Sequence, residues 1–212
     1  MPELAEWLAA LSLRLPEPLV RHLPELALAG ALAWGAGLRL YLVVFLFGLL
    51  GRMGWWPLPE HLSVLAHPLV IGASGFMAAV ELFADKLPWL DSLWDGLHTF
   101  VRIPAGAALA AAVFGDSGAA VALAAGLLGG TLTATTHFAK SGTRAAVNTS
   151  PEPFSNVAVS VGEDALVLGG LWLAVEYPLL FLAALVVFVV AAALLIRLIL
   201  RGLRRLFGAR PA

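Results

Sequence analysis

Runs of roughly 20 apolar residues recur along this chain, and the residues that interrupt or bound them are charged: Arg39, Glu81, Asp85, Glu163 and Asp164. A run of that length matches the hydrocarbon thickness of a bilayer. An ionisable group at that depth is costly unless it faces a bundle interior or a water-filled path. Together these facts restrict the chain to an all-α, polytopic membrane bundle with its charges turned inward. Composition agrees, with 60% of the 212 residues hydrophobic and 13% charged and a mean hydropathy of +0.90, against about 45–50% and about 25% in soluble domains. The length suits about six helices of roughly 20 residues with short connections and leaves no room for a second soluble domain of ordinary size.

The net charge of −1 argues against bulk attraction to nucleic acid. The absence of cysteine excludes disulfides, thiolate metal sites and a cysteine nucleophile. Residues 1–25 read as an interfacial segment, because Leu4, Trp7, Leu8 and Leu11 follow helical spacing, and Glu3 and Glu6 argue against a secretory signal. Residues 26–200 form the membrane domain, and 201–212 are a basic cytoplasmic tail. The expected spans are Leu26 to Leu50, Pro68 to about Glu81, Leu97 to Phe114, Ala119 to Phe138, Val157 to Val175 and Pro178 to Leu200. Arg14, Arg21, Lys86, Arg102, Lys140, Arg144 and the C-terminal arginines then fall on one face, with Arg52 the exception. Lys and Arg in short loops are retained inside, so both termini are expected in the cytoplasm of a bacterium, with the chain in the inner membrane.

Two polar stretches on that face stand out. In the first, Asp91, Asp95, His98 and Arg102 stand at i, i+4, i+7 and i+11, one face of a helix. Asp91, Asp95 and His98 are candidate metal ligands or proton-relay groups; the alternative is acids placed at a helix N-terminus with support from Arg102. In the second, His137, Lys140 and Arg144 share a helix face that can meet those acids. The prolines at 151 and 153 bias Ser150 and Glu152 out of helix, which suits a re-entrant or pore-lining segment as well as a plain connector. Arg39, mid-span, is expected to pair with an acid on a neighbouring helix.

These residues give the chain a family likeness. It resembles the bacterial membrane family catalogued as domain of unknown function 4126, through Gly37-Leu38 and Tyr41, Glu81, Ala84-Asp85-Lys86 and Pro88, Asp91, Trp94-Asp95, His98-Thr99-Phe100 and Arg102, then His137, Lys140, Arg144, Asn148, Ser150 to Asn156 and Glu163-Asp164. The resemblance implies membership and no activity.

Three functions fit the pattern. The first is a small transporter or channel carrying an ion or small polar solute through a charged cytoplasmic vestibule, lined by Glu81, Asp85, Asp91, Asp95, His98, Arg102, His137, Lys140, Arg144, Asn148, Glu152, Asn156, Glu163 and Asp164. In the second the same charges pair structurally and fix the packing of a scaffolding or assembly protein. The third, a metal-dependent enzyme on a lipid-linked phosphate, is the least supported. Its aspartate spacing fails, no second aspartate pair follows Asp91 and Asp95, and no serine nucleophile elbow is present. The expected partners are the lipid bilayer and a cation or small polar solute, with no nucleic acid. The sequence names no cofactor and no oligomeric state.

Overall fold

The computed structural model describes residues 16–149 and 154–207. Among these residues all the regular structure is helical. Helix α1 runs Glu17–Arg52, a 3-10 helix Glu60–Ala66, α2 Pro68–Ala84, α3 Pro88–Val113, a second 3-10 helix Gly115–Ser117, α4 Ala119–Val147, α5 Phe154–Glu176 and α6 Pro178–Phe207. Five segments are long and apolar enough to cross a bilayer: Val20–Arg52, Trp89–Val113, Ala119–Val147, Phe154–Glu176 and Pro178–Gly202. The first 3-10 helix and α2, bent by 66° at their junction, make six if counted as one span. The all-α polytopic architecture is as expected, and so is the approximate number of helices. Their limits are longer than expected: α1 begins at Glu17 rather than Leu26, and α4 continues to Val147.

Local chemistry starts and stops these helices. Proline stands at the start of α2 and α3, where its missing N–H has no intrahelical partner to lose. The His67 ring Nδ1 accepts from Leu69 N at 3.2 Å and caps α2. Gly118 takes φ 93°, a left-handed geometry that favours glycine, and reverses the chain between α3 and α4.

The decisive departure from expectation lies in α1, which is not one straight span. Arg39 has φ −145° and ψ 69°, so its backbone leaves the helix between two helical arms, residues 17–38 and 40–52. In a straight helix residues 35 and 43 would be about 12 Å apart. Here a Cβ on Gly35 would lie 2.7 Å from a Val43 methyl. The chain therefore folds back at Arg39 into a helical hairpin. Both arms return to the end of the bundle where α3 passes into α4. Leu26 and Gly30 line a groove with Phe114 and Val121, and Gly48 packs against the Leu65 carbonyl in the 3-10 helix, whose His61 bonds Asp116 at 2.9 Å. The second arm, 13 residues, spans about 20 Å, too short to cross a hydrocarbon core of about 30 Å alone.

The start of α1 packs near the start of α6, with Gly30 against Phe181 and Leu185, whereas the far part of α6 lies beside the end of α4, where Gly142 meets Ile199. The start of α1 and the end of α6 thus lie at opposite ends of the bundle. The helix breaks at Arg39; the prolines at 151 and 153, where a break was expected, lie outside the described residues.

Small residues allow the close packing around this hairpin. A Cβ on Gly106 would meet the Thr133 hydroxyl, one on Gly129 the Ala110 methyl, and one on Gly170 the Trp34 ring. Trp34 in turn lies edge-on to Phe181 and Phe188. In lipid, apolar burial between helices is not itself the driving force, and close contact through small residues supplies it instead.

The fold-back is directly testable. Gly35→Ala should lower stability by about 1–3 kcal/mol through overpacking, and most of that loss should vanish in a Val43→Ala background. Gly162→Ala, where a Cβ meets nothing within 4 Å, should be neutral or stabilising by up to about 1 kcal/mol. Thermal unfolding in detergent measures all four proteins, and additive effects of the Gly35 and Val43 changes would exclude the hairpin.

Candidate functional site

The hairpin turn delivers Arg39 to the centre of the bundle, where four cations and six carboxylates meet. Arg39 comes from α1, Glu81 from the end of α2, Asp85 from the connection just after it, Asp91, Asp95 and Arg102 from α3, Lys140 and Arg144 from α4, and Glu163 and Asp164 from α5. All but Asp164 are buried. The stretches read from sequence as polar loops are therefore mostly helix: only Asp85 to Leu87 separate α2 from α3, and α4 carries its basic face to the end.

Each cation bridges several helices. The Arg39 guanidinium binds Asp85, donates to the Ser160 hydroxyl at 3.0 Å and its carbonyl at 3.2 Å, and lies 2.9 Å from Asp164. Arg102 binds Glu81 and donates to Asp95 at 2.7 Å. Arg144 holds Glu163 through two bonds of 3.0 and 2.9 Å, reaches Asp85 at 3.1 Å, and donates to the Asn156 side-chain oxygen at 2.6 Å. Lys140 is held differently. Its ammonium donates to the Leu38 carbonyl at 3.0 Å, while Asp85, Glu163, Asp95 and Glu81 surround it at 3.5, 3.6, 3.7 and 4.0 Å. The departure of Arg39 from helical geometry withholds from Leu38 its usual i+4 donor, and Lys140 takes that place at the negative end of the first arm.

The imidazoles serve different neighbours. His137 Nδ1 accepts from Arg102 at 3.2 Å, so Nε2 carries the proton and donates to Thr99 Oγ1 at 2.7 Å, while the Thr99 hydroxyl donates to the Asp95 carbonyl. His98 Nδ1 donates to the Trp94 carbonyl at 2.8 Å and its Nε2 accepts from the Tyr41 hydroxyl at 3.1 Å; the ring stacks on Trp94. These protonation assignments follow from the partners. Asp91 accepts from Asn148 at 2.9 Å. Asp91, Asp95 and His98, grouped as candidate metal ligands, thus turn to separate partners. Among the described residues no three His, Asp or Glu side chains are placed to hold a metal ion.

Of the fourteen residues proposed from sequence, thirteen are described, and twelve lie in this connected network. His98 sits beside it, joined to α1 through Tyr41, and Glu152 lies outside the described residues. Arg39 is confirmed as paired with acids on neighbouring helices. Tyr41, Thr99, Ser141 and Ser160 were missed. Ser141 donates to Asp95 at 3.2 Å. The available signal for Ser160 was its position one helical turn before Glu163 and Asp164; single hydroxyls in apolar helices otherwise give little. Between α3 and α4 a cleft of about 240 Å³, bordered by Asp95, Gly96, Thr99, His137 and Ser141, leads to the edge of the network.

A helical fold with five or six bilayer-length segments closed around an interior ion network is a multi-pass integral membrane protein. The chain belongs to the family described as Domain of unknown function (DUF4126), whose model matches residues 26–198. No curated protein and no solved structure matches it.

Removing one partner of a buried pair strands the other. Arg144→Met and Glu163→Gln should each cost about 3–5 kcal/mol, and the double variant distinctly less than their sum. Denaturant unfolding in detergent gives the cycle, and strict additivity would show that the pair does not act as a unit.

Proposed function

We propose that this protein moves or gates a small cation, the proton included, through the charged cluster at the break in α1. One observation carries the reading: five buried carboxylates and the partly exposed Asp164 share one network with four buried cations, leaving two negative charges in excess when all are ionised. Uncompensated charge in a low-dielectric interior is expensive, so the network has reason to take up protons or a cation. Buried oxygens of Glu81, Asp85 and Asp91 that have no hydrogen-bond partner among the described residues support this. Broken helices whose ends meet at charged side chains near the membrane interior are a recurrent way of building ion sites in transporters. The positive charges favour a cytoplasmic location for the end of α6, with Lys86, Arg197 and Arg201 on that side. The hairpin of α1 then enters from the opposite side of a bacterial inner membrane.

A purely structural role has one specific observation in its favour, since every cation contacts at least two carboxylates. Asp95→Asn separates the readings. Arg102 keeps Glu81 as a partner in this variant, so the fold should survive. Proteoliposomes of the intact protein should dissipate an imposed gradient of protons or of a monovalent cation, and the variant should do so more slowly by about a hundredfold. A wild-type rate equal to that of empty liposomes for every cation tried would leave the structural role.

A further inference from the structure

We propose that the Lys140 ammonium occupies, from within the chain, a seat for a small monovalent cation or primary ammonium ion. The three arginines of the cluster each make contacts of 3.1 Å or less to carboxylates. Lys140 does not. It touches one oxygen closely, the Leu38 carbonyl at 3.0 Å, and four carboxylates stand around it at 3.5 to 4.0 Å, beyond the usual length of a charge-assisted hydrogen bond. Five oxygens around a compact point charge form the environment an alkali or ammonium ion would take. The side chain is fully buried, so its removal opens a volume lined by acids rather than solvent. Two seat carboxylates also have a spare buried oxygen, Glu81 Oε2 and Asp85 Oδ1, with no hydrogen-bond partner among the described residues. The backbone contributes independently: the break at Arg39 leaves the Leu38 carbonyl at the negative end of a helical arm. The cleft beside Asp95 gives an approach.

The seat rests on the cation-handling role proposed above, in which it is the place an incoming cation contests with the tethered lysine. The experiment uses the full chain in detergent. Lys140→Ala should become cation-dependent, its melting temperature rising by about 5 °C when methylammonium chloride replaces choline chloride at equal ionic strength. Wild type, whose tethered ammonium already fills the seat, should shift by less than Lys140→Ala. Lys140→Met fills the volume without a charge and should be both less stable and unresponsive. If Lys140→Ala cannot be recovered in choline, recovery of folded protein in methylammonium, potassium or sodium supports the seat. Failure in all of them overturns it, as would equal shifts in choline and methylammonium, or a Lys140→Met response as large as that of Lys140→Ala. Cation-dependent Lys140→Ala combined with no flux through wild type would defeat the transport reading and leave the seat in place.

Discussion

The contact on which the rest of the structure depends is the one between the broken backbone of α1 and the side chains that complete it. At Arg39 the helix turns back on itself, which leaves a carbonyl without its donor and places a guanidinium in the middle of an apolar bundle. Either would be costly alone in a membrane. Lys140 answers the first through the Leu38 carbonyl, and Asp85 and Asp164 answer the second. From there the pairing spreads by necessity: Asp85 also engages Arg144, which binds Glu163 and Asn156, and each added group brings another helix with it.

The network is therefore a joint as much as a candidate site. α2, α3, α4 and α5 each contribute a charge to the same small volume, so displacement of one helix is felt by all. Buried ion pairs give little net stability compared with apolar packing of the same volume, but they discriminate strongly against arrangements that leave a charge unpaired. The lone carbonyl contact of Lys140 and the spare oxygens of Glu81 and Asp85 are the places where that discrimination is loosest.

Much of this was legible in the sequence. The helices announce themselves through length and hydropathy, and the charged residues through their rarity in such surroundings: Asp91, Asp95 and Arg102 share a helix face as their spacing required, and so do His137, Lys140 and Arg144. The hairpin was not legible, because residues 26–50 read as one apolar run whose only charge, Arg39, can pair with a neighbouring helix without a break, and no proline stands near its middle. The clue was Gly35 and Gly37 just ahead of Arg39, small residues where the chain approaches Val43 and Thr133, but glycine pairs are as common in straight membrane helices that pack closely. The 3-10 helix Glu60–Ala66 was missed because its short polar sequence looks like a connector.

The hairpin also bears on how the protein is made. α1 leaves the ribosome first, yet Arg39 finds its partners 46 residues away at Asp85 and 121 residues away at Ser160. During synthesis Asp85 can pair with Arg39 once α2 has emerged, but Ser160 and Asp164 become available only with α5. Its contacts are thus completed late, although α1 is synthesised before the helices that supply them. The centre of this bundle closes only when nearly all of its wall is already standing.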